Sequence, residues 1–220
     1  MSTPPASLRA VLFDWDGTLV DSAELSYVCY VRTFARFGIP FDRARYQATY
    51  SPDWMKTYHG VGLPQERWSE ADRCWLDHYA AGRALLLDGA AEALDRLRKR
   101  DLLLGVVTSG DRGRVGREIA ALGLGDYFAA FVGHGDYRQR KPHPEGLQLA
   151  LERMGAAPGE AAYVGDSPED VMMAQAAGVY AVGIPGGFPN RDALVASAPD
   201  LLAPSLEAAV AVLAPVGSGA

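Results

Sequence analysis

Cysteine is nearly absent from this chain of 220 residues: only Cys29 and Cys74 occur. Two thiols cannot frame a fold of this length, so no disulfide scaffold is implied. The expectation is two packing cysteines in a helical region of a reduced, cytoplasmic protein. Lysine is also scarce, with Lys56, Lys99 and Lys141 alone among arginines. The histidines, His59, His78, His134 and His143, show no zinc-ligand spacing. No apolar run approaches the roughly 20 residues that span a bilayer. The opening MSTPPASLRA lacks the charged and apolar stretches of a secretory leader. No glycine–lysine pair marks a Walker loop, and in Gly110-Asp111-Arg112-Gly113 an arginine replaces the second glycine of a dinucleotide fingerprint.

What is present is ordinary globular material. Hydrophobic residues make up 49% and charged residues 22%, which excludes wholesale disorder. The formal net charge of -6, from 27 acidic against 21 basic residues, argues against nonspecific binding to nucleic acid or to a membrane.

Short apolar runs recur along the chain. Arg9–Phe13 ends in Asp14-Trp15-Asp16-Gly17, and Leu102–Val107 ends in Thr108-Ser109-Gly110. Phe128–Val132, Ala161–Val164 and Val179–Ile184 follow. Between them lie helical patterns over Ala90–Arg100, Arg114–Leu122, Pro144–Met154 and Pro168–Ala177, with a last one at Ser205–Leu213 and a frayed tail at Gly217–Ala220. Strands alternating with helices imply an α/β fold, a Rossmann-like parallel sheet with helices on both faces. Right-handed crossovers then gather the strand C-termini along one ligand-binding edge. The interval between the first strand and Ala90 breaks this rhythm, being too long for a structureless loop. Its patterns are helical over Asp21–Phe37, Phe41–His59 and Pro64–Gly82, with Pro64 suited to a first helical position. The predicted organisation is a core of residues 1–20 and 88–220, with an inserted α-helical cap domain of residues 21–87.

The strand ends carry the chemistry. Asp14 and Asp16, one residue apart, can turn both carboxylates toward one cleft, while Trp15 faces the other way. Gly17 permits a sharp backbone departure. Thr108, Ser109 and Gly110 offer hydroxyls and amides at a helix N-terminus, suited to phosphate. In Arg140-Lys141-Pro142-His143-Pro144 two prolines fix the backbone around a lysine, an effective point charge for a phosphoryl group. Gly165-Asp166-Ser167-Pro168-Glu169-Asp170 puts Asp166 at a strand tip and Asp170 one turn into the next helix. Carboxylates so concentrated repel one another unless cations intervene.

These four motifs, DWDGTLVDS, Thr108, Lys141 within RKPHP, and GDSPED, resemble in order and spacing those of the haloacid dehalogenase-like hydrolase superfamily. The resemblance covers nearly the whole chain and favours its phosphatase branch with an inserted helical cap, similar to phosphoglycolate phosphatase. It implies a magnesium-dependent phosphatase that hydrolyses a small-molecule phosphate monoester through an aspartyl-phosphate intermediate. Asp14 would be the nucleophile and Asp16 the general acid and base. Thr108 and Lys141 would bind the phosphoryl group, helped by Ser109 and Gly110. Mg2+ would be held by the carboxylates of Asp14 and Asp166 and the backbone carbonyl of Asp16, with Asp170 either orienting Lys141 or standing behind the metal ligands. In the cap, Lys56 and His59, with Arg45, are candidate substrate contacts, although the rings of Tyr46, Tyr50, Trp54, Tyr58, Trp68, Trp75 and Tyr79 read first as a small packed core. The partner implied is a small phosphorylated metabolite, with no nucleic acid and no membrane; the oligomeric state is left open.

Other branches stand beside this reading. Haloacid dehalogenases lack the second carboxylate, which Asp16 supplies here. Phosphonoacetaldehyde hydrolases use a cap lysine as a Schiff base, a place Lys56 would have to fill. Sugar phosphomutases carry a histidine in the hinge segment, and DSAELSYVCYV has none. A non-catalytic binding module on the same fold is the remaining alternative.

Overall fold

The computed structural model describes residues 2–215; the tail expected at Gly217–Ala220 lies outside them. The first apolar run forms β1 (Ala10–Phe13), fully buried along its length. Its alternation sorts the core into two layers: Val11 and Phe13 join one apolar cluster, Ala10 and Leu12 the other. Around β1 the sheet grows with β4 (Leu103–Asp111), β5 (Ala130–His134), β6 (Ala161–Gly165), β7 (Tyr180–Gly183) and β8 (Leu201–Leu202). The six strands run in the order β5-β4-β1-β6-β7-β8, and every pairing is parallel. Helices α5 (Ala90–Arg98), α6 (Arg112–Ala121) and α10 (Leu206–Leu213) cover one face; α7 (Glu145–Met154), α8 (Pro168–Ala176) and α9 (Arg191–Ala196) cover the other. This is the Rossmann-like α/β architecture the alternating pattern predicts. Phe13 registers with Val106 on β4 and Val164 on β6. The residues just beyond these three strands therefore meet at one edge.

After β1 the chain makes a tight turn, with the amides of Thr18, Leu19 and Val20 all donating to the Trp15 carbonyl. It leaves through β2 (Val20–Asp21) and returns through β3 (Leu85–Leu86), which pair antiparallel. Between them lie α1 (Ala23–Arg36), α2 (Arg43–Thr49), α3 (Trp54–Gly60) and α4 (Trp68–Ala80). These helices bury their own apolar cluster, dominated by Tyr30, Phe34, Phe41, Tyr46 and Tyr58. Phe34 packs against three of these rings, with centroids 4.7 to 5.9 Å away.

Several element boundaries differ from expectation. The helix predicted over Phe41–His59 is two helices, broken at Tyr50–Asp53. Pro52 lacks the amide a continuous helix needs, and Asp53 starts the second piece by accepting from the Met55 amide at 3.3 Å. Pro64 precedes a single 3-10 turn, and α4 begins only at Trp68. The pattern after Val179 also missed α9 and β8, which are short and carry little periodicity. Both cysteines are free and helical, Cys29 buried and Cys74 half-buried. Among the described residues, no helix is long and apolar enough to cross a membrane.

Candidate active site

A buried lysine organises the sheet edge. Lys141 is only 7% exposed, and its ammonium has three donors and three partners: Asp14 Oδ1 at 2.8 Å, Tyr163 Oη at 2.7 Å and Asp170 Oδ1 at 2.6 Å. Burial alone would lower its pKa, but Asp14 and Asp170 reverse that and hold it charged, above its ordinary value. Tyr163 in turn donates to the Val107 carbonyl at 2.6 Å. Asp170 has no free oxygen: Oδ2 accepts from the Ser167 amide at 3.1 Å and hydroxyl at 2.7 Å. Ser167 caps α8, with Pro168 at its first turn, so the capping pair that starts this helix also fixes the Asp170 carboxylate.

Asp14 and Asp166 stand differently. Burial pushes the Asp14 carboxyl up to about 7, against the attraction of Lys141 and with the repulsion of Asp170. Asp166, 3% exposed, is raised well above the carboxylate range by burial and by the Asp14 and Asp170 charges. Its Oδ2 is buried with no hydrogen-bond partner among the described residues. One oxygen from each of Asp14, Asp166 and Asp170 lies within 4.8 Å of the others. Two glycines close on this point: a Cβ at Gly17 or Gly186 would overlap Asp166 Oδ2. Gly17 also holds φ +77°, a left-handed conformation that side chains disfavour. An unpartnered buried carboxylate oxygen in an all-oxygen cluster is the donor set that a hard divalent cation such as Mg2+ takes. With Asp170 saturated, Asp14 and Asp166 are the side chains left to hold it.

Asp16 turns elsewhere. Its carboxylate meets the Arg114 guanidinium in a two-pronged ion pair, Nη1 to Oδ1 at 3.1 Å and Nη2 to Oδ2. Only its backbone carbonyl remains for the metal role expected of it. Arg114, 6% exposed, also reaches Glu118, whose Oε2 accepts from the Trp15 indole at 2.6 Å. Sequence reasoning missed Arg114, Glu118 and Tyr163. Tyr163 had left a signal, since a phenol in a strand buried on both faces needs a partner for its hydroxyl.

Thr108, 1% exposed, lines the same cavity as Asp14, Lys141 and Asp166, together with Ser109 and Gly110. The expected helix N-terminus is not at these residues. Strand β4 runs on through them with a register shift, and α6 begins at Arg112 under the Asp111 cap. The Gly110 amide is spent on Thr108 Oγ1 at 3.0 Å. Gly110 makes room instead, since a Cβ there would strike Arg114 and crowd Asp16.

The cavity of about 230 Å³ lies between the sheet edge and helices α1–α4. Three contacts close it. Tyr50 stacks on Phe188 with centroids 5.0 Å apart at 13°, Trp54 meets His134 edge-on at 4.9 Å, and Arg140 pairs with Asp53 at 3.1 Å while covering Trp54. Lys56 and His59 are exposed and do not line the cavity, contrary to expectation. Both lie on α3, whose buried residues are Thr57 and Tyr58. Arg45 is structural, donating to the Pro40 and Val61 carbonyls at 2.7 and 2.9 Å. The aromatic rings divide: Tyr46 and Tyr79 are buried away from the cavity, Tyr58 is buried but lines it, and the half-buried Tyr50, Trp54 and Trp75 line it as well.

Comparison with known proteins identifies the family. The family model described as "Haloacid dehalogenase-like hydrolase" matches residues 11–184. Phosphoglycolate phosphatase of Escherichia coli K12 is 32% identical, over 90% of this chain and 90% of its own. Pyrophosphatase PpaX of Bacillus velezensis is 31% identical over 89% of this chain and 91% of its own. The crystal structure of CbbY from Rhodobacter sphaeroides in complex with phosphate superposes with a TM-score of 0.77 at 24% identity, covering 90% of this chain and 95% of that one. From β1 through β7, then, this chain belongs to the haloacid dehalogenase-like hydrolase family.

Proposed function

We propose that this protein is a magnesium-dependent phosphatase that hydrolyses small phosphate monoesters through an aspartyl-phosphate on Asp14. One observation carries the reading. The Asp14 carboxylate is held by Lys141 through one oxygen, at 2.8 Å, in a cluster with Asp166, whose Oδ2 no other described residue uses. A nucleophilic carboxylate needs that combination: a fixed position, and positive charge to collect the phosphoryl oxygens. Relatives named phosphoglycolate phosphatase and pyrophosphatase, and a fold shared with a phosphate-bound protein, support it.

In this mechanism Asp14 attacks phosphorus as the ester oxygen departs. Asp16 gives the departing oxygen a proton, then takes one from the water that cleaves the aspartyl-phosphate. Thr108 holds a transferring oxygen, and Lys141, kept in place by Tyr163 and Asp170, turns to the phosphoryl group the donor it gives Asp14 at rest. When bound by Asp14, Asp166 and the Asp16 carbonyl, Mg2+ supplies charge neutralisation for the phosphoryl group. Residues 21–87 act as a cap, and the Tyr50–Phe188 and Arg140–Asp53 contacts shut it against water. The phosphonoacetaldehyde hydrolase alternative needs a buried cap lysine, and Lys56 is exposed.

The test is phosphate release from 4-nitrophenyl phosphate with and without Mg2+. Asp14→Asn is expected to lose at least a thousandfold in turnover while keeping its melting temperature within a few degrees. Turnover in excess chelator, or an active Asp14→Asn variant, would overturn the proposal.

A further inference from the structure

The half of the cavity away from Lys141 and Asp166 is built by α1, α3 and α4, and its chemistry is unusual for a site that takes anions. Among the described residues, no lysine or arginine of these helices lines it. Tyr30, Tyr58, Trp54 and Trp75 form its walls, with the Asp72 carboxylate set among them. The Asp72 charge is felt by both Tyr30 and Tyr58, while burial raises the Asp72 carboxyl above its ordinary value against the nearby charges of Arg140 and His134. Asp72 forms no ion pair among the described residues. The nearby guanidinium of Arg140 is already engaged by Asp53 and stacked on Trp54. Arg114 does reach the cavity, but Asp16 and Glu118 share its charge.

A carboxylate without an ion pair, in a cavity wall it shares with four aromatic side chains, repels a second anionic group by direct charge and attracts a cation, to which the rings add their quadrupoles. At about 230 Å³, the whole cavity is also below the roughly 300 Å³ at which sites for drug-sized ligands begin, so the leaving group is small. We infer that the preferred substrates are phosphate monoesters of small alcohols that bear an ammonium group and no acidic group, with Asp72 and its surrounding rings receiving the cation. The inference rests on the phosphatase reading above. It sets this chain apart in substrate charge from a phosphoglycolate or pyrophosphate hydrolase.

The experiment uses three esters of similar size: phosphoethanolamine with an ammonium, n-propyl phosphate with no second charge, and phosphoglycolate with a carboxylate. For each, kcat/KM is measured with Mg2+ on the wild type and on Asp72→Asn, with 4-nitrophenyl phosphate alongside as a general phosphatase readout. Calorimetric binding of the same esters to Asp14→Asn gives the order without turnover. The expected order is ammonium, then neutral, then carboxylate, with at least tenfold per step, and Asp72→Asn narrows the full span at least tenfold. A wild-type preference for phosphoglycolate, or an unchanged span in Asp72→Asn, would overturn the inference and leave the phosphatase reading standing. If no ester is hydrolysed, 4-nitrophenyl phosphate included, the phosphatase reading falls. The calorimetric order then decides the charge preference by itself.

Discussion

Removing the divalent cation should destabilise this protein, and more so as pH rises. Three carboxylates have an oxygen within 4.8 Å of one another, and two unit charges at that distance repel by about 3.5 kcal/mol at an effective dielectric constant of 20. Lys141 offsets part of this; the rest appears as carboxyl groups that keep their protons. Asp14 is raised from 3.8 to about 7, chiefly by burial, and Asp166 is raised well above the carboxylate range for the same reason. A carboxyl whose folded-state pKa is raised contributes stability that is full below its unfolded value and lost as pH climbs through the folded one. For Asp14 that window runs from about pH 4 to pH 7, and one proton between pH 5.5 and 7 is worth roughly 2 kcal/mol. At about 2–4 °C per kcal/mol for a chain of this size, metal-free protein should melt about 4–8 °C lower at pH 8 than at pH 5.5. Mg2+ at a hundredfold over its Kd adds about 2.7 kcal/mol, and it does so at pH 8, where it no longer competes with protons. Differential scanning fluorimetry with chelator or with Mg2+ at both pH values reads all four conditions. Equal Mg2+ gains at the two pH values, or the same gain in Asp166→Asn, would refute the reasoning.

Three substitutions probe the parts separately. Lys141→Met removes the cation from between Asp14 and Asp170, and breaking a buried pair costs about 3–5 kcal/mol; the melting temperature should fall by about 6–20 °C at pH 8 and by less at pH 5.5, with turnover lost at least a hundredfold. Gly186→Ala places a methyl against Asp166 at a backbone position with no positive φ, so the fold should survive while Mg2+ activation shifts to tenfold to a hundredfold higher concentration in a titration of activity. Arg114→Lys keeps the charge and loses the two-pronged grip on Asp16, so kcat for an alkyl phosphate should fall about tenfold more than kcat for 4-nitrophenyl phosphate, whose leaving group needs no proton. Equal losses on both esters would assign Arg114 a purely structural part.

The sheet was legible because its strands are buried on both faces and read as unbroken apolar runs, such as AVLF in β1 and AAYVG in β6. The edge residues were legible for a related reason: polar side chains stop such runs where β1 and β6 end, at Asp14 and Asp166, and where β4 shifts register, at Thr108. The cap was legible as helical but not in detail. Pro52 breaks one helix into two, and a run of rings carries the same periodicity whether a given ring packs inward, as Tyr46 does, or reaches the cavity, as Trp54 does. Lys56 and His59 were chosen by charge alone, and the face of α3 that carries them is set by Tyr58 seeking the aromatic core. Arg114 gave no signal at all. Its partner, Asp16, is 98 residues away, and an arginine six residues past Thr108 looks like any solvated helix residue until the turn after β1 is brought against α6.

That arginine also bears on how the catalytic turn is held. Trp15 and Asp16 are adjacent, and both are tied to α6: the indole to Glu118 at 2.6 Å, the carboxylate to Arg114, and Arg114 to Glu118 at 3.3 Å. The four side chains make a closed loop that fixes the backbone between Asp14 and Gly17. On its outer side Arg114 lies under two rings of α4, Tyr79 with its centroid at 4.7 Å and Trp75 at 5.9 Å. The guanidinium thus touches the proposed acid and the proposed cap at once. Opening the cap would strip the rings from Arg114 and let water into its contact with Asp16, which weakens an ion pair whose strength depends on exclusion of solvent. Closure of the proposed cap would therefore also position the proposed acid, through Arg114.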